Sequence, residues 1–145
     1  MKKFNKILVA TDFSDISAKA FTIAVDLAKR LGASLHVAHI VQIHAMNIPE
    51  SGSVLIEELE AIEEQAANEN MDKYVQQHGD GVAITRTILH GDPAAQLNNI
   101  VKETGADMIV METHGRTGLA HLVMGSVAET VLRNAEVPVM CVKGS

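Results

Sequence analysis

Short apolar runs and helical stripes take turns along this chain, and that alternation restricts the possible folds more than any other feature. The run "KILVATD" at residues 6–12 is followed by "SDISAKAFTIAVDLAKRLGA", where Ile16, Ala20, Ile23, Ala24, Leu27, Ala28 and Leu31 recur at helical spacing. Ser14 stands where an N-cap belongs, and Gly32 where a C-terminal stop belongs. "SLHVAHIVQ" reads as a second strand. The breakers and small polar residues of "HAMNIPESGS" after it predict a mobile loop. From Val54, the spacing of Leu55, Leu59, Ile62 and Ala66 predicts a second helix with a solvated outer face of Glu57, Glu58, Glu60, Glu63 and Glu64.

"VAITRTIL" is the third apolar run. The segment after it carries its own brackets: Asp92 as N-cap, Pro93 at the first helical position and Gly105 just past the end. "DMIVM" gives a fourth strand, "SVAETVLRNA" a fourth helix with Ser126 and Glu129 at capping-box spacing, and "VPVMCVK" a fifth strand. Five strands alternating with four helices predict an α/β fold. Its sheet is open, doubly wound and mainly parallel, with right-handed crossovers placing helices on both faces. At 145 residues, 47% of them apolar, a single domain over 1–145 is expected.

In such a sheet a ligand sits beyond the carboxyl ends of the strands, where the winding reverses. Two strand ends here carry polar chemistry. Asp12 follows the first strand and is placed either to accept hydrogen bonds from a ribose or base, or to hold its own turn. After the fourth strand, "METHGRTGLAHLVMGSVAE" sets Gly115 and Gly118 in a loop and Gly125 and Ser126 at a helix N-terminus, where unpaired N–H groups and the helix dipole favour an anion. The loop has neither the Walker lysine nor the compact GxGxxG spacing, so turning the chain is its competing role.

Charge and composition exclude other classes. The net charge of -6, with no basic cluster, argues against nucleic acid or an anionic membrane as partner. The apolar stretch near the N-terminus is too short for a signal core or a span, so a soluble cytoplasmic protein is expected. The single cysteine, Cys141, lies in an apolar run and is expected to pack rather than react. Seven histidines form no HExxH or Cys-His set, and His36 and His39 point to opposite strand faces, so no metal site is expected. No nucleophile with an ordered base is evident, so the chain is not expected to be an enzyme.

Four blocks, "KILVATDFSDISAKAF", "LHVAHI", "HGDPAAQL" and "DMIVMETHGRTGLAHLVMGSVAETVLRNAEVPVMCVK", are together similar to the universal stress proteins of the UspA type. That resemblance implies a Rossmann-like sheet in the order 3-2-1-4-5, which brings Asp12 opposite the loop after the fourth strand. It also implies ATP, with or without Mg²⁺, as ligand. Adenine and ribose would lie near Ala10, Thr11, Asp12 and Ile40, and phosphates near Met111, Thr113, His114, Gly115, Arg116, Gly125, Ser126 and Val127, with Glu112 also among the cofactor-binding positions. His114 would donate to phosphate or hold the loop. A homodimer through the last strand, by Val137, Val139, Met140, Cys141 and Val142, is implied as cover for an exposed sheet edge.

One departure stands out. The family's first motif glycine is Glu112 here, while Gly115, Gly125 and Ser126 are kept. A carboxylate ~5 Å from a phosphate would cost roughly 3 kcal/mol, about a hundredfold in affinity. Two functions follow as expectations: a nucleotide-responsive stress module, or one without nucleotide that acts through a protein partner. Slow ATP hydrolysis is a third.

Overall fold

Isoleucine, leucine and valine fill β1 (Lys6–Ala10) without a polar break, as a strand covered on both faces requires. Ile7, Leu8 and Val9 are all fully buried. The computed structural model describes residues 3–41, 53–79, 81–113 and 125–143. After β1 come α1 (Asp15–Leu31), β2 (Ser34–Val41), α2 (Ser53–His78), β3 (Ile84–His90), α3 (Pro93–Thr104), β4 (Met108–Glu112), α4 (Ser126–Asn134) and β5 (Val139–Val142). The sheet order is β3-β2-β1-β4-β5 with every neighbouring pair parallel, as expected.

Pleating divides the core in two. Ile7 and Val9 pack with Leu35, Val37 and Val110 against α1 and α2, around Phe21, Met71 and Tyr74. On the other face Leu8 packs with Ala38, Ile109 and Met111 against α3 and α4, around Leu97, Ile100 and Val131. Each fully buried large apolar side chain contributes about 1.5–3 kcal/mol. At the amino end of the central pair, the Asp107 carboxylate accepts from the backbone N–H of Asn5 at 2.8 Å and of Lys6 at 3.1 Å, which pins β1 beside β4.

The local signals hold for α1 and α3. Ser14 accepts from Ser17 N–H, Asp92 from Ala95 N–H, and Gly32 and Gly105 close the two helices at φ 67° and 71°. Three expectations need correcting. In α1 the buried stripe is Ser17, Ala20, Phe21, Ala24, Val25 and Ala28, while Ile23 and Leu31 face outward. Small residues at 17, 20, 24 and 28 let the helix lie close to the sheet, which rotates the larger Phe21 and Val25 inward. In α2 Leu59 and Ile62 of the expected stripe are turned to solvent, 48% and 62% exposed, and the buried residues among the described side chains are Ala67, Met71 and Tyr74 further along. Met71 and Tyr74 of this later half join the core against the sheet. In α4 no capping box forms: Gly125 is the N-cap, no side chain caps it, and the Glu129 carboxylate accepts from Arg133 at 2.7 Å instead.

Candidate functional site

At its carboxyl edge the sheet separates into two directions. The chain leaving β1 turns to α1 on one face, and the chain leading into α4 serves the other, so β1 and β4 part at the winding switch. A cavity of about 660 Å³ opens there. Small-molecule sites span roughly 300–1,000 Å³. Ala10, Thr11, Asp12, Ile40, Met111, Glu112, Thr113, Gly125, Ser126 and Val127 all line it. His114, Gly115 and Arg116, together with Gly118 and His121, lie outside the described residues, as does the 44–52 part of the expected loop.

The β1 side is held by its own side chains. The Thr11 hydroxyl pairs with that of Ser17 at 3.0 Å and accepts from Phe13 N–H at 3.0 Å. Asp12 Oδ1 accepts from Ser14 N–H at 2.9 Å, so the turn-holding role expected of this residue is present. These bonds keep Phe13 at φ 63°, a left-handed conformation costing about 1–3 kcal/mol in a non-glycine residue. Its ring rests against His39 at 4.5 Å and Tyr74 at 5.8 Å between centroids, while His39 Nδ1 lies 2.8 Å from the Thr11 carbonyl.

The β4 side is less complete. Glu112 belongs to the strand and stands beside Val142 in register, not in the loop beyond it. Because Ile109 and Met111 face α3 and α4 while Val110 and Val142 face α1 and α2, the pleat sends Glu112 toward α1 and α2. Its Oε2 is buried without a hydrogen-bond partner. Burial pushes its carboxyl up to about 7, hydrogen bonding to its own backbone offsets part of that rise, and Asp12 adds to it. Tyr74 of α2 lies close enough to feel both carboxylates, and burial raises its phenol too.

Across the cleft, Gly125 donates its N–H to the Thr113 carbonyl at 2.6 Å, which fixes the start of α4 against the end of β4. The first turn of α4 thus begins at the cavity wall, at Gly125, Ser126 and Val127, and among the described residues no side chain caps its N–H groups. The titratable groups lining the cavity are Asp12, His39, Glu63 and Glu112, and no Lys or Arg lines it among the described residues.

Residues that the sequence reading missed also line this space. Phe13, His39, Pro93 and Leu97 belong to it, as do Glu63, Ala66 and Asn70 of α2. Phe13 adjoins Asp12 and Pro93 opens α3, so strand-end position was a usable signal for both. For α2 there was none, since a helix face cannot be aimed at a distant strand end from spacing alone.

Other expectations are local. Cys141 is partly buried and its thiol is pushed up by burial, consistent with a packing role. His36 lies between Thr85 and Thr87, at 2.6 and 2.8 Å from their hydroxyls, on the face opposite His39. Among the described residues no group of three or more His, Cys, Asp or Glu is arranged to hold a metal. Nor is any described helix long and apolar enough to cross a membrane.

The universal stress protein family model matches residues 3–143. A universal stress protein of Methanocaldococcus jannaschii is 37% identical over 142 residues, covering 97% of this chain and 82% of its own length. A second protein of that organism has a solved structure that matches at a TM-score of 0.88 and 26% identity, covering 99% of both chains. A universal stress protein from Archaeoglobus fulgidus, solved in complex with dAMP, shares the fold at a TM-score of 0.67 and 23% identity, covering 98% of this chain and all of its own. With the family model spanning nearly the whole chain and the sheet in the same order, the chain belongs to the universal stress protein family.

Proposed function

We propose that this universal stress protein binds an adenine nucleotide, ATP accompanied by Mg²⁺, in the cleft between β1 and β4, as a regulatory ligand and not as an enzyme's substrate. The observation carrying this reading is the opening of the uncapped α4 N-terminus into a cavity that lies at the winding switch and ends at Asp12. Adenine and ribose lie toward Ala10, Thr11, Asp12 and Ile40. Phosphates lie toward Met111, Thr113, Gly125, Ser126 and Val127, with His114, Gly115 and Arg116 completing that end. Mg²⁺ and Arg116 offset the acidic lining. The dAMP held by the A. fulgidus protein supports the ligand class, because the two chains share one fold.

The chain works as one domain over 1–145, in the cytoplasm, as a homodimer. Its partner surface is β5, which forms one edge of the sheet and leaves Met140 37% exposed. Val137, Val139, Cys141 and Val142 complete that surface.

A second reading is favoured by one observation. Three carboxylates line the described part of the cavity without a Lys or Arg, as suits a family member that has given up nucleotide and acts through a protein partner. Denaturing the purified protein and chromatographing the supernatant, then titrating Mg-ATP into the apo form, separates the two. Released or bound adenine nucleotide without turnover supports the first reading. Neither release nor binding supports the second, and turnover lost on loop substitution would make the protein a hydrolase.

A further inference from the structure

Glu112 is where this chain departs from the family's glycine, and its surroundings say what the departure does. Glu112 lines the cavity, and its Oε2 is buried without a donor. A buried acceptor in that state costs about 1–3 kcal/mol until something donates to it. The pleat places the carboxyl on the α1 and α2 side, coupled to Asp12 and Tyr74, whereas α4 packs on the opposite face. Two neighbouring carboxylates repel phosphate oxygens and attract hydroxyl donors.

We propose that Glu112 reads the sugar: its carboxylate, turned into the cavity, accepts a hydrogen bond from a ribose hydroxyl beside Asp12, so that the cleft selects adenine ribonucleotides over their deoxy counterparts. The inference rests on the reading of the cleft as an adenine nucleotide site. A nucleotide lying across the strand ends brings its phosphates to the α4 N–H groups and its sugar edge to the two carboxylates. Like charges are thereby kept apart, and the glutamate becomes a specificity residue in place of an obstacle.

Calorimetric titration of ATP, 2′-deoxy-ATP and 3′-deoxy-ATP, each with Mg²⁺ and at pH 8 where the Glu112 carboxyl is ionised, into the parent and Glu112→Ala tests this. The parent is expected to bind ATP about tenfold or more tighter than at least one deoxy analogue, the worth of one hydrogen bond to a charged acceptor. Glu112→Ala is expected to bring the ratio for that analogue to about one, because the acceptor facing that hydroxyl is gone while Asp12 is unchanged. Equal affinities for all three ligands in the parent would overturn the proposal, as would an unchanged ratio in Glu112→Ala, which would assign the selection to another residue. Should Glu112→Ala fail to fold, Glu112→Met fills the same space without an acceptor, and its ratio is read the same way. If no ligand binds the parent or either variant, the reading of the cleft itself fails, and the proposal with it. Binding without discrimination overturns the proposal alone.

Discussion

On the β1 wall of the cleft, Thr11, Asp12, Ser14 and Ser17 direct their hydrogen bonds to one another and to the turn between them. On the β4 wall, Glu112 keeps a buried oxygen without a donor, and α4 begins at a glycine that no side chain caps. Both walls close the same cavity with polar residues at strand ends. The first forms with the chain and holds Phe13 in its left-handed turn. The second leaves an acceptor and a helix N-terminus that no side chain among the described residues satisfies. The difference teaches that a polar residue at a strand end is frame when its neighbours satisfy it, and a candidate contact when they do not.

The largest effect that sharpens this contrast is pH dependence from Glu112. Its folded pKa of about 7 lies above its ordinary 4.5, so the folded state keeps a proton that the unfolded state releases. Its contribution is therefore full below about 4.5, falls as pH rises toward 7 and stays lost above. Desolvation, and after it Asp12, sets this direction. Across that window the parent should lose up to about 3 kcal/mol relative to Glu112→Gln, read from urea midpoints at pH 4.5 and 8. His36 slopes the other way, because burial, and then Lys6, hold its imidazole below 6.5, and its contribution is lost as pH falls; comparing parent with variant cancels it. Parallel profiles for the two proteins would show a solvated Glu112 and remove the contrast.

Next in size is Thr11→Val on the satisfied wall. It deprives buried Ser17 and the Phe13 N–H of a partner, at an expected cost of about 2 kcal/mol in urea unfolding. A loss below about 0.5 kcal/mol would mean that these bonds do not hold the frame. The smallest effect concerns the caps. Ser14→Ala should cost about 1 kcal/mol, while Gly125→Asp, allowed at φ -62° and ψ 154°, should add only a few tenths by capping α4. The same Gly125→Asp puts a carboxylate where phosphates are proposed, so its Mg-ATP affinity should drop at least about tenfold. An undiminished affinity would move the phosphates away from α4.

Features encoded within a few residues were legible before the structure. The α3 brackets Asp92, Pro93 and Gly105, the α1 caps and the period-two strands are of this kind, and the strand order followed once the family resemblance was recognised. Features set by distant packing were not. The exposed Leu59 and Ile62 satisfy helical spacing, but spacing does not reveal that Met71 and Tyr74 of the later half of α2 join the core against the sheet. Ser126 and Glu129 have the spacing of a capping box, but the chain enters α4 through Gly125 bonded to Thr113, and Arg133 takes the glutamate. The apolar run "DMIVM" predicts a strand that ends at Met111 and leaves Glu112 to the loop. One further residue of pairing with β5 puts it in the strand, on the α1 and α2 side of the sheet.

Backbone amide shifts recorded during a Mg-ATP titration test the account most directly, because they report where on the molecule a nucleotide sits. Perturbations are expected at Asp12, Ile40, Glu112 and Thr113, and above all at Ser126 and Val127, whose N–H groups open the uncapped helix. Little change is expected at Ser17, whose N–H is already bonded to Ser14. Saturating Mg-ATP that leaves the amides of Ser126 and Val127 unmoved would contradict the account.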